Sequence, residues 1–249
     1  MTTPRDVRLL RAGSLHAYQR AIVAASCDGD VSLVRATAVI VPTRAAALQL
    51  QRTAEQARLT DGGSAIVLPD ILTRAELYER LRVAAAPPGA WLSAFDREVM
   101  LEAGAHEAIT EGAVPPFHLR PALVGEMLEF YDELRRRRRQ VDDFERLLGA
   151  ELEPRAGIDR GAERMLRQTR FLIAAFRSYE RRMRDADALD EHAFRDWLIA
   201  TRLPGRYRRV IVAVGDWLLE AGGLWPADAD LFSRLERIQR IDVVATEAQ

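Results

Sequence analysis

The chain has 249 residues, 48% hydrophobic and 29% charged, with a formal net charge of −1. That length supports one large domain or two small ones with real cores, and the near-zero charge excludes a globally basic surface, so that any contact with nucleic acid must come from a local patch. A single cysteine, Cys27, excludes an internal disulfide and a zinc cluster. The apolar runs are far short of a membrane span and the N-terminus lacks a signal-peptide core, so a soluble cytoplasmic protein without membrane contact is expected, and the Arg and Ala usage points to a bacterial source.

In chain order, Val7 to Leu10 reads as a first strand, followed by a turn at Arg11–Ser14 and a helix from Leu15 to Ala25. The stretch Ala36–Arg52 is the organising unit. Val39, Ile40 and Val41 form a β-branched run suited to a strand buried on both faces. Pro42 and Thr43 end it, and Ala45 to Arg52 is rich in helix formers. The turn between them lies at the carboxyl end of the strand, where open α/β sheets place their ligands. After a glycine-marked loop at Asp61–Ser64, Ala65 to Leu68 is expected to be a third strand. Thr73 and Glu76 have the spacing of a capping box, opening a helix with Leu77, Tyr78 and Leu81 inward.

The texture then changes. Ala84 to Gly89 is a breaker and a domain border, and from Trp91 to Leu203 only helical periods appear. Ser93 and Asp96 form a second capping box, before a helix expected to bury Phe95, Val99 and Met100. Ala122 to Gln140 reads as a helix with Leu123, Met127, Tyr131 and Leu134 on one face. Arg164 to Arg184 is another, with Met165, Leu172, Phe176, Tyr179 and Met183 inward. Asp190 is placed to cap a shorter helix burying Phe194, Trp197 and Leu198.

Strands return at Val210–Val214 and Ile241–Ala245, with a helix at Asp228–Arg237 between them. The expected fold is therefore α/β: a mostly parallel sheet, residues 1–83 plus 205–249, with a large all-helical insertion at 84–204. The chain stops directly after a strand without a closing helix, which suggests a truncated piece of a longer protein.

The chain contains 36 basic residues, and every one is arginine. A Walker-type phosphate loop needs a lysine to reach the β- and γ-phosphates, and kinases need one on a strand. The common nuclease pattern of Pro-Asp followed by Asp/Glu-x-Lys needs one too; Pro69-Asp70 is present but has no lysine partner. Arginine's planar fork does not replace that compact point charge.

Four stretches in order carry a resemblance: AGSLHAYQ at the place of a phosphate loop, VIVPTRAAALQLQR after it, FRSYERRMRDADALDEHAF with Tyr179, Leu189 and Asp190, and the strand YRRVIVAVGDW. Together they resemble the N-terminal motor region of superfamily 1 helicases of the UvrD type, which implies a sheet of the P-loop-NTPase kind. The likeness is greatest to the inactivated copy in AddB- and RecC-like DNA repair proteins of the PD-(D/E)XK nuclease family. That resemblance implies a helicase-like module of a bacterial double-strand-break repair helicase–nuclease. Its partners would be single-stranded or forked DNA and an active helicase–nuclease subunit.

The departures from the motor pattern matter as much. An active motor ends the strand that corresponds to YRRVIVAVGDW in Asp-Glu to hold magnesium and the attacking water. Ala213 and Val214 stand at those places, and neither side chain coordinates a hard cation. Asp216 beyond the turn reads as a turn residue. With the lysine and the acid pair both absent, no ATPase chemistry remains, no nucleotide, metal or other cofactor is expected, and a non-catalytic scaffold or DNA guide is the reading. A nucleotide enzyme with an unorthodox site, or a structural helical adaptor binding a protein partner without DNA contact, are the alternatives.

The candidate DNA contacts are Thr43 and Arg44, at the strand-end turn, and Arg135, Arg136, Arg138 and Arg139, within a run of arginines closing a helix. Hydroxyl and guanidinium groups suit phosphate. Against these stand a threonine that merely caps a helix and a solvated arginine-rich helix end favoured by the dipole. His16, His106, His118 and His192 lack metal-ligand spacing. Trp197, Trp217 and Trp225 are candidate base-stacking residues or core aromatics.

Overall fold

The structure is a computed structural model that describes residues 6–27, 29–60, 67–202, 205–214 and 224–246, the side chains of 58–60 excepted. In chain order the elements are β1 (Asp6–Ala12), α1 (Leu15–Cys27), α2 (Val31–Arg35), β2 (Thr37–Val41), α3 (Arg44–Thr60), β3 (Asp70–Thr73) and α4 (Arg74–Ala85). There follow β4 (Ala90–Trp91), α5 (Ala94–Thr110), α6 (Pro121–Arg136), α7 (Val141–Ala156), α8 (Arg160–Asp185), β5 (Ala188–Leu189) and α9 (Glu191–Thr201). The chain closes with β6 (Arg209–Val214), α10 (Pro226–Arg234) and β7 (Arg240–Thr246). Two compact units result, Met1–Ala86 with Trp197–Gln249, and Pro87–Asp196.

The first unit is α/β. Its five strands run in the order β1-β7-β6-β2-β3, and every pairing is parallel. β2 and β6 are adjacent, with Val39 opposite Ile211. Every residue of β2 is buried, as are Arg209 to Ala213 of β6. Continuous β-branched runs without alternation are what a strand covered on both faces requires. One face of the sheet presents Val39, Val41, Ile211, Ala213 and Val244 to Ile22 of α1 and to Ala47 and Leu50 of α3. α4 runs beside β2 and β3 and is tied to α10 through Asp228, which is fully buried. The Asp228 carboxylate accepts from Arg74 Nε at 2.8 Å and Nη2 at 3.0 Å, from Tyr78 Oη at 2.6 Å and from the Trp225 backbone N–H at 2.8 Å. A buried carboxylate needs this many donors to offset its lost hydration.

The third strand differs from the sequence expectation. It occupies Asp70–Thr73, in register with Ala38–Val41, after the Val67–Leu68 stretch; Ala65 and Ile66 lie outside the described residues. The cause is Thr73, whose hydroxyl accepts from the Glu76 N–H while the Glu76 carboxylate accepts from the Thr73 N–H at 2.9 Å. The capping box fixes where α4 starts, and the strand runs directly into it.

The second unit is a helical bundle around Leu101, Met127, Tyr131, Phe171, Phe176 and Tyr179. It also holds a short parallel ladder, Ala90 opposite Ala188 and Trp91 opposite Leu189, in a region expected to be helical throughout. α5 turns a different face inward from the one anticipated: Phe95 is 73% and Val99 47% exposed, while Leu101, Gly104, Ala105 and Ala108 are buried. The reason is close packing. A β-carbon added to Gly104 would stand 3.1 Å from both the Ala175 carbonyl oxygen and the Tyr179 amide nitrogen of α8. Small residues let the two helix backbones approach, and the larger Phe95 and Val99 are left outside.

α6 ends earlier than its period suggests, at Arg136. Arg138 adopts φ +61°, its N–H donating to the Arg135 carbonyl at 3.1 Å, and the Arg139 N–H donates to the Leu134 carbonyl at 3.0 Å. This pair of bonds closing on a left-handed residue is a Schellman motif, with arginine where glycine is usual. Gln140 begins the cap of α7, its N–H donating to Asp143 Oδ2 at 3.1 Å.

Candidate nucleic-acid interface

The carboxyl edge of the sheet carries the first candidate contacts. β2 stops at Val41, and Thr43 opens α3: its hydroxyl accepts from the Ala46 N–H and its carbonyl from the Ala47 N–H, each at 3.1 Å. The capping role weighed for Thr43 is therefore filled. Arg44 follows, with a side chain 75% exposed that forms an ion pair with Glu76 in the first turn of α4. Its guanidinium is at the surface but not uncommitted, and a phosphate would have to compete with that carboxylate.

At the same edge Ser14 caps the start of α1, accepting from the Ala17 N–H at 3.2 Å. Tyr18, one turn further along, donates its hydroxyl to the Val214 carbonyl at the end of β6, at 3.2 Å. The β1 turn and the β6 terminus thus meet through a phenol and a backbone carbonyl. Ala213 is buried in the core beneath. Gly215, Asp216 and Trp217 lie outside the described residues. Among the described residues no cluster of His, Cys, Asp or Glu could hold a metal ion, and no helix is long and apolar enough to cross a membrane.

The arginine run divides in two. Arg135 is buried, 6% exposed, with Nη2 at 2.5 Å from Asp196 Oδ2 and Nη1 at 3.8 Å from Glu180. The guanidinium packs within the bundle and is turned to protein carboxylates, with which a phosphate would have to compete. Arg136 is partly covered, 3.8 Å from Asp132 and 3.6 Å from Glu191. Arg138 and Arg139 are exposed in the turn that follows α6. The structure does not place Arg135 beside Arg138 and Arg139 as one surface, because the helix ends between them.

Sequence reasoning missed a buried polar network that joins α5, α6, α8 and α9. Asp132 is its centre. It accepts from both terminal nitrogens of Arg97, forming a bidentate pair, and from His192 Nε2 at 2.9 Å. Burial alone would raise the Asp132 carboxyl, but the His192 and Arg97 hydrogen bonds outweigh it and hold the group well below the usual carboxylate range. His192 is 1% exposed. An ionised carboxylate accepts only, so Nε2 carries the hydrogen and Nδ1 is the acceptor facing Arg195 Nη1, 3.4 Å away.

Arg97 Nε donates to Tyr179 Oη, which donates to Asp190 Oδ2, both at 3.1 Å. Burial pushes the Tyr179 phenol well above its ordinary range, with the Asp190 charge adding to the shift. Asp190 in turn accepts from the backbone N–H groups of His192 at 2.9 Å and Ala193 at 2.8 Å, capping α9 as its position suggested. Asp132 and Asp190 both face Arg97, while the buried Arg195 donates to the Arg135 carbonyl at 3.3 Å. The arrangement ties four helices together. The other aromatic candidates are mixed: Trp225 is buried at 9% exposure, and Trp197 is half-buried.

No protein-family model matches the chain, and none of the curated proteins searched matches it.

Proposed function

We propose that the chain is a non-catalytic, helicase-like module that guides single-stranded or forked DNA, as part of a bacterial break-repair helicase–nuclease. The observation that carries this reading is the Tyr18–Val214 contact at the carboxyl edge of the parallel sheet. It lies where the resemblance to UvrD-type motors expects a phosphate loop to face a Walker acid pair. A phenol, a backbone carbonyl and the alkyl side chains of Ala213 and Val214 provide neither phosphate binding nor magnesium coordination.

Surface guanidinium groups remain as the means of holding DNA. Arg44 at the β2 turn, the partly covered Arg136 that ends α6, and Arg138 and Arg139 in the turn after it are the phosphate contacts of this reading, with Thr43 capping α3 beside Arg44. The test is binding of a forked DNA measured with and without ATP and magnesium. Salt-dependent binding that ignores nucleotide supports a DNA guide. DNA-stimulated, magnesium-dependent ATP hydrolysis by the purified chain overturns it.

A further inference from the structure

Among the described residues of the helical unit, α6, α7 and α8 frame an open apolar groove of about 630 Å³. Met127 and Phe130 of α6, Phe144 and Leu148 of α7, and Met165 and Leu172 of α8 form its walls. Phe130 and Met165 are 38% and 52% exposed. Single exposed apolar residues are ordinary, but here they continue a lined depression in the core. A cleft between helices rich in methionine and phenylalanine is the surface that receives the apolar face of another helix, because the flexible thioethers adapt to its side chains.

Charge supplies a second, independent observation. Arg160, Arg164 and Arg167 stand at steps of four and three on α8, so they form one row. On α8 Arg164 is four residues from Gln168, its neighbour on the helix surface, and Gln168 lines the groove with Met165 and Leu172. All three are exposed, and among the described residues none of them makes an ion pair, although Glu163 is nearby in sequence. Their neighbours differ: Arg155, Arg170, Arg177 and Arg181 each have an acid within 4 Å, at 2.9, 3.6, 2.5 and 2.9 Å. The row spans roughly 10 Å, two helical turns, which matches carboxylates at i, i+4 and i+7 of a facing helix.

We propose that this groove docks an acidic amphipathic helix of a partner protein, with its apolar face on Met127, Phe130 and Met165 and its carboxylates on the Arg160–Arg164–Arg167 row. The inference does not depend on the DNA reading. A nucleic-acid strand would need free aromatic faces in series. Here Phe130 lies edge-on to Phe144 at 5.3 Å and stacked on Phe176 at 6.2 Å, so its ring is already engaged.

The test uses the full chain and two labelled, amidated peptides of about 18 residues, long enough to form a helix on contact. One carries Leu and Phe at i, i+3, i+4 and i+7 with flanking Glu; its twin has Lys for every Glu. Fluorescence anisotropy should show the Glu peptide binding about tenfold more tightly or better, with the advantage shrinking as salt rises. Met165→Glu should lower affinity for both peptides about tenfold. The Arg164→Gln, Arg167→Gln double variant should remove the preference for Glu, and thermal unfolding should be unchanged in both variants because the replaced side chains are exposed. No binding, equal binding of the twins, or indifference to Met165→Glu overturns the proposal. So does displacement of the peptide by forked DNA whose own binding needs Arg164 and Arg167 but not Met165, a result that would assign the row to nucleic acid.

Discussion

Arg135 and Asp196 form an ion pair at 2.5 Å in which the arginine side chain is 7% exposed and the aspartate 48%. The pair separates Arg135 from the arginines that follow it in sequence. Its removal leaves no buried orphan charge, since Asp196 can rehydrate, so the cost is that of lost packing and one charged hydrogen bond. Arg135→Gln should destabilise the protein by about 1–3 kcal/mol in urea unfolding. Arg139→Gln, fully at the surface, should stay within roughly 0.5 kcal/mol of the parent. Equal effects at the two sites would contradict the division.

Acid should weaken the helical bundle through Asp132. Its folded pKa is depressed below the unfolded value, so its contribution is complete above about pH 4 and is lost as pH falls through the folded value. Protection of the α5, α6 and α8 amides from hydrogen exchange, taken relative to the intrinsic rate at each pH, should therefore fall below about pH 4. Asp132→Asn should cost about 3 kcal/mol at neutral pH, by leaving Arg97 without its bidentate partner, and should flatten that acid response. A variant with the parent's pH dependence would place the acid-sensitive group elsewhere.

Two glycines in helices should respond in opposite directions. Gly104→Val would drive its side chain into the α8 backbone and should lose about 2–3 kcal/mol. Gly125→Ala in α6 has open space around the new β-carbon and should gain up to about 1 kcal/mol from helix propensity. Thermal unfolding of the two variants measures both.

Arg138 holds a left-handed conformation at φ +61° that glycine adopts without the steric cost of a β-carbon. Arg138→Gly should stabilise the protein by about 0.5–1 kcal/mol, net of the greater freedom of glycine in the unfolded chain. Loss of stability would show that the arginine side chain contributes more than its backbone strain costs.

These particulars also mark what the sequence conveys. β2 and β6 were legible because a continuous apolar run has few other uses, and the Thr73–Glu76 and Ser93–Asp96 boxes because capping is local. The position of β3 was not, since the apolar Ala65–Leu68 run outcompetes Asp70–Thr73 on propensity while register and the Thr73 cap decide the outcome. The buried face of α5 was hidden because Gly104, Ala105 and Ala108 carry almost no hydrophobic signal, although their smallness is what lets α8 approach. Within the candidate site, Arg135 and Arg139 look alike in sequence. The acid that separates them, Asp196, is 61 positions from Arg135. Asp132, Arg97 and His192 are likewise brought together only by the packing of separate helices.

The central claim is that surface arginines hold DNA without chemistry, and the salt dependence of fork binding tests it most directly. Affinity should be measured between roughly 50 and 200 mM salt for the parent, for Arg44→Gln and for the Arg136→Gln, Arg138→Gln, Arg139→Gln triple variant, leaving Arg135 in place to preserve the fold. The account predicts a linear fall of log affinity with log salt, with the slope reduced by roughly 0.7 to 0.9 for each phosphate contact removed. Variants that bind with the parent's affinity and slope, or a parent whose binding is indifferent to salt, would contradict it.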